Sequence, residues 1–141
     1  MKQISIILLP ILLFDIITKQ VVKQQQIQTT GHFFDITYAT NTGTMWSLFA
    51  NFHLINILFI TLSLLALGFL YYYMRTQRQH IIPVSIISAG IIGNLLDRII
   101  YGFVIDWANF HFWPIFNIAD SAIVIGTISL MYLLVKEEVR K

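Results

Sequence analysis

Four long apolar stretches dominate the chain, at about 4–22, 54–74, 81–100 and 115–135, separated by shorter polar or aromatic segments. Each holds about 20 residues, the length an α-helix needs to cross the hydrocarbon of a bilayer. The pattern therefore predicts four transmembrane helices. Lys2 ahead of an apolar run also suits a secretory signal, but TKQVVKQQQ follows where a small-residue cleavage site would stand, so an uncleaved first span is expected. Pro10 is tolerable inside a membrane helix, and Pro83 falls at a plausible first-turn position of the third span.

The segments between the spans carry other signals. HFFDITYAT alternates, with Phe34, Ile36 and Tyr38 on one side and Asp35, Thr37 and Ala39 on the other, a period of two. Asn41-Thr42-Gly43 reads as a turn. Together they predict a short sheet or hairpin on the membrane surface at about 31–52. The 101–114 segment is a connector rich in aromatic rings, which settle at headgroup depth. In the third span Gly90, Gly93, Asn94 and Asp97 recur at helical spacing and share one small, polar face.

Composition sharpens this into an integral membrane protein, mainly α, as one domain over 1–141. The 141 residues are 57% hydrophobic and only 11% charged, against about 25% charged in soluble domains. There is no cysteine, hence no disulfide, thiol nucleophile or thiolate metal site. The basic residues are scattered, which argues against nucleic acid as a partner. Six of them (Lys2, Arg75, Arg78, Lys136, Arg140, Lys141) fall on the side of the two termini and three (Lys19, Lys23, Arg98) on the other, which predicts cytoplasmic termini. All five aspartates then fall toward the outer end and both glutamates in the cytoplasmic tail.

That clustering points to one site. Asp106 lies just beyond the third span and Asp120 about one turn inside the fourth, so two antiparallel helices could bring both carboxyls to one depth. Two carboxyls sharing a site hold one proton between them, and such a pair can activate a water against a peptide carbonyl. The competing reading is structural, with each aspartate capping or pairing at a helix end. Asn117, at i−3 from Asp120, shares its face. Asn94, Asp97 and Arg98 lie on consecutive turns, and Arg98 is free to reach a peptide backbone or a lipid phosphate. Asp15 and Lys19, at i and i+4, form a helical ion pair expected to orient the first helix. Asn41 and Gly43 could present amide and backbone groups to an extended peptide. The four histidines show no close ligand spacing, so no metal is expected, although His111 beside Asp106 is conceivable.

These residues resemble a known family. FDIITK (14–19), NTGTMWS (41–47), GNLLDRIIYGFVIDW (93–107) and FNIADSAIVIG (116–126) are similar, in order, to the four motif blocks of lipoprotein signal peptidase, the type II signal peptidase. Thr44 and Met45 stand where that family usually has alanines. The resemblance implies four transmembrane helices with a small extracytoplasmic β-cradle in the bacterial cytoplasmic membrane. It implies an aspartic endopeptidase without cofactor that removes signal peptides from prolipoproteins, before a diacylglyceryl-modified cysteine. The catalytic pair would be Asp106 and Asp120, with support from Asp15, Lys19, Asn41, Gly43, Asn94, Asp97, Arg98 and Asn117. It also implies contact with membrane lipid and sensitivity to globomycin-type inhibitors.

Two other functions use the same residues. A proton- or cation-translocating protein could employ the carboxylates, but no acid lies in the inner half of any span to serve as a stepping stone. A non-catalytic lipid or subunit scaffold would use the aspartates only to hold its fold.

Overall fold

The computed structural model describes residues 2–43 and 52–140. Its elements run α1 (Lys2–Gln25), β1 (Asp35–Asn41), α2 (Phe52–Thr76), a 3₁₀ turn (Arg78–His80), α3 (Ile81–Tyr101), β2 (Val104–Asn109) and α4 (Ile118–Val139). All four helices are long and apolar enough to cross a membrane. Thr44, Met45 and the rest of 44–51 lie outside the described residues, so the expected surface segment at 31–52 is seen only as far as Gly43.

Helix α3 is the hub. It packs against α4, α1 and α2, and over half of its membrane window is buried, against small fractions of the other three. Its small residues explain this. A Cβ at Gly90 would run into the Ala119 carbonyl and Ile123 of α4. One at Gly93 would sit 2.6 Å from the Asp15 carboxylate of α1. Where helices associate in lipid, such close approach provides the contacts that the hydrophobic effect cannot. The outward faces of α1, α2 and α4 remain apolar and exposed, with Leu13, Leu65 and Ile128 among them, as lipid contact requires.

The ends of the bundle are set by local signals. Gly102, at φ 81°, closes α3 in the left-handed conformation and donates its N–H to Arg98 O at 3.1 Å. Asn117 opens α4 through a capping box. Its side chain accepts from the Asp120 N–H, and the Asp120 carboxylate accepts from the Asn117 N–H. Exposed Phe112 and Trp113 mark this end, and exposed Tyr71 and Tyr72 mark the other, as interfacial aromatics do.

The sheet is antiparallel and two-stranded, but its second strand comes from the connector and not from 31–52. Ala39 pairs with Asp106, Thr40 with Ile105 and Asn41 with Val104, after an irregularity between Ile36 and Ala39. The sequence hides β2 because Val104, Ile105 and Asp106 are all buried in succession. A strand covered on both faces loses the alternation that reveals a half-buried one.

At the opposite end, buried His80 joins three elements. Its Nδ1 lies 2.7 Å from the Tyr73 hydroxyl of α2 and its Nε2 lies 3.0 Å from Glu137 Oε1 of α4. Two such bonds are worth about 1–3 kcal/mol together. His80→Ala is expected to lower stability by that amount in thermal unfolding of the detergent-solubilised protein.

Candidate active site

The network at the sheet end starts from α1. Asp15 and Lys19 form the expected i, i+4 pair at 2.7 Å, both 1% exposed. Lys19 does more than balance Asp15. Its ammonium also lies 3.0 Å from Asp97 Oδ2 and donates to Asn94 Oδ1 at 3.0 Å, both on α3. Asp15 Oδ1 in turn accepts the Ala119 N–H at 2.8 Å. That amide is an unpaired donor in the first turn of α4, where a negative charge is favoured. The first helix is thus tied to the third and fourth through one buried ion cluster.

Asp97 faces Lys19 and the sheet. Its Oδ2 also accepts the Ile105 N–H at 3.0 Å. Because the Ile105 carbonyl accepts from Asn117 Nδ2 at 3.2 Å, both backbone groups of Ile105 point away from β1. Asp106, the next residue, points its side chain toward the turn after β1, where Asn41 Nδ2 meets it at 2.9 Å. Arg98 lies at the same end, with Nη1 donating to Asn94 O at 3.4 Å and its guanidinium 4.8 Å from the ring of Phe59.

Asn117 lies between the two carboxylates. Its Nδ2 donates to Asp106 Oδ1 at 2.7 Å, and its backbone N–H donates to Asp120 Oδ2 at 3.2 Å. The other oxygens are held as well. Asp106 Oδ2 accepts from Asn41 Nδ2 at 2.9 Å, and Asp120 Oδ1 accepts from Asn94 Nδ2 at 2.7 Å. Asn41 is itself oriented by the Gly43 N–H, which donates to its Oδ1 at 2.8 Å while Gly43 sits at φ 80°. This conformation favours glycine.

Asp106 is 2% exposed. Burial, and next the charge of Asp120, push its pKa from the ordinary 3.8 up to about 6. Bonds from Asn41 and Asn117 and the charge of Lys19 oppose the rise. Asp106 opens onto a cleft of about 450 Å³ lined by Ala39–Gly43, Pro114 and Ile115. His111 does not approach Asp106. Its Nε2 lies 3.2 Å from Asp35 Oδ2. Among the described residues no group of three potential metal ligands occurs.

All ten residues singled out in the sequence thus meet at one end of the bundle. The Asn117–Asp120 capping box was also open to sequence reading, as N-x-x-D ahead of an apolar run. Two further contacts carried no such signal: Asn56 Nδ2 donates to Arg98 O at 3.1 Å, and Phe59 packs on Arg98.

Comparison with known proteins decides the family. Residues 7–136 match the family described as Signal peptidase (SPase) II. The chain belongs to the signal peptidase II family. The lipoprotein signal peptidase of Thermodesulfovibrio yellowstonii is 39% identical over 136 residues, covering 91% of each chain. That of Halothermothrix orenii is 32% identical over 143 residues, covering 96% of this chain and 97% of the relative. A solved structure described as a bacterial membrane enzyme superposes with TM-score 0.88 at 26% identity, covering 100% of this chain and 92% of that one. Membership in the signal peptidase II family makes this a multi-pass inner-membrane peptidase that processes the signal peptides of lipoproteins.

Proposed function

We propose that the protein is an aspartic endopeptidase that cuts prolipoproteins just before the diacylglyceryl-modified cysteine, with Asp106 and Asp120 as its catalytic pair. One observation carries this reading: carboxylates from β2 and α4 are both hydrogen-bonded to Asn117, at the helix-bundle end that also bears the strand edge. A water held between them loses a proton to one carboxylate as its oxygen attacks the scissile carbonyl. The carboxyl that holds the pair's proton donates to the developing oxyanion. The proton just taken from water then passes to the leaving nitrogen, the C–N bond breaks, and a hydroxyl of the collapsing gem-diol returns a proton to the carboxylate that gave one up, which restores the one-proton pair. The pair titrates as a unit, so neither acid is given a fixed role.

The surroundings suit such a substrate. Residues 27–29 cover the outer edge of β1 as far as Tyr38, so the part of that edge beyond Tyr38, next to the Asn41–Gly43 turn, is where an extended peptide would pair. Exposed Ile99 and Ile100 near the end of α3 offer apolar walls to acyl chains. Asp15, Lys19, Asn94, Asp97 and Asn117 hold the carboxylates, while Arg98 faces the substrate's backbone or lipid. In this reading the sheet end lies at the outer face and both termini in the cytoplasm. A globomycin-type cyclic peptide would occupy the cleft beside Asp106. The direct test is purified protein in liposomes offered a diacylglyceryl-modified precursor and its unmodified counterpart. Cleavage of only the former, immediately before the modified cysteine, is expected.

The pH dependence follows from Asp106. Burial and the charge of Asp120 raise its pKa to about 6, so the proton shared by the pair is lost as pH rises past that value. The alkaline limb of kcat/KM, which reports the free enzyme, is expected at an apparent pKa of about 6. Asn41→Ala removes a hydrogen bond that favours the charged form, so this limb should move to higher pH. A limb that stays in place or moves down would separate it from Asp106.

A further inference from the structure

Helix α2 packs against α3 and is otherwise the span least buried within the protein, with 6% of its window covered. One of its side chains nevertheless touches both sides of the site. A Cβ at Gly43 would run into the ring of Phe59, so that ring lies directly on the turn after β1. The same ring lies 4.8 Å from the Arg98 guanidinium, a cation–π distance. One turn earlier on the same face, Asn56 donates to Arg98 O at 3.1 Å and pins α2 to α3 at this level.

Resting on the aspartic-peptidase reading above, we propose that Phe59 is a positioning residue for the cleavage step. Lodged between the turn and Arg98, it clamps the turn in fixed relation to Asp106. The route to Asp106 has three links. The ring closes the turn, the turn's Gly43 N–H holds Asn41 Oδ1, and Asn41 is then left with only its NH₂ group to present to Asp106. An amide held through its oxygen cannot rotate; one whose turn has opened can, and Asp106 then loses a donor. Gly43 and Phe59 are thus paired: only glycine at the turn leaves room for the ring, and only a ring fills that room while offering Arg98 a π face.

The experiment measures kcat and KM on a diacylglyceryl-modified peptide for Phe59→Leu, Phe59→Tyr and Asn41→Ala, and for Phe59→Leu combined with Asn41→Ala. Phe59→Leu is expected to lower kcat about tenfold with KM changed less than about threefold. Phe59→Tyr, which keeps the ring, should stay within about threefold of the unsubstituted protein. With Asn41→Ala already present, Phe59→Leu should cost less than about twofold more, because the group it orients is gone. Unchanged kcat in Phe59→Leu, or full additivity with Asn41→Ala, overturns the proposal. Should leucine at this position fail to accumulate, Phe59→Met is read the same way. Asp106→Asn in the same assay separates the two claims. If it is inactive while Phe59→Leu is unchanged, only the positioning role falls; if it is fully active, the aspartic reading falls first.

Discussion

Asp106→Asn and Asp120→Asn are each expected to lower prolipoprotein cleavage by about 10³-fold or more while the protein stays folded in the membrane. Each removes one member of the proposed pair, which in that mechanism must both take and give a proton, and neither amide can do so. Stability should respond in the opposite sense at position 106. The folded state holds the Asp106 proton more tightly than the unfolded chain does, at about 6 against 3.8. This stabilising contribution is complete below the unfolded value and is lost as pH rises through about 6, an amount on the order of 3 kcal/mol. An uncharged asparagine does not suffer that loss. It does forfeit one well-matched acceptor for Asn41 or Asn117, worth about 1 kcal/mol. Asp106→Asn is therefore expected to be about 1–2 kcal/mol more stable than the unsubstituted protein at neutral pH, with the difference gone at about pH 4. Thermal unfolding at both pH values, beside the cleavage assay, checks it. A purely structural aspartate predicts the reverse: loss of folding together with loss of activity.

Lys19→Met is expected to cost about 3–5 kcal/mol of stability. The ammonium is 1% exposed and meets Asp15 at 2.7 Å and Asp97 at 3.0 Å. Methionine fills a similar volume but leaves two acids enclosed without a counter-charge, and the cost arises from them more than from any lost attraction. Activity should fall as well, because Asn94 Oδ1 loses its Lys19 donor while Asn94 Nδ2 is the group holding Asp120. Adding Asp97→Asn to Lys19→Met should recover part of the stability by removing one of the stranded charges. Protein accumulation in membranes and the unfolding midpoint in detergent report both effects. Equal stability of Lys19→Met and the unsubstituted protein would show that these acids are not charged in the fold.

Much of this arrangement is legible in the order of the amino acids. The four spans declare themselves because lipid demands long uninterrupted apolar runs, and the polar exceptions within them stand out for the same reason. Asp15 and Lys19 are visible as a pair because helical periodicity places i and i+4 on one side. The shared face of Gly90, Gly93 and Asn94 is visible in the same way, and it is the face on which α1 and α4 pack.

Other features have no local signature. The partner of β1 lies more than sixty residues away, in a strand whose buried Val104, Ile105 and Asp106 show no alternation. Lys19 reads as a partner for Asp15 alone until α3 packs beside it and supplies Asp97 and Asn94. His111 is drawn to Asp35 and away from Asp106 by the antiparallel register, which pairs Asp35 with neighbouring Asn109. Phe59 is one apolar residue among many in α2 until the Gly43 turn and Arg98 arrive on either side of it. The sequence by itself determined the number of spans, the polar inventory and the faces that periodicity can show, since those depend on transfer into lipid and on helix geometry. Only the tertiary structure decided which polar groups meet, because hydrogen bonds between elements depend on distances and directions that a one-dimensional pattern does not contain.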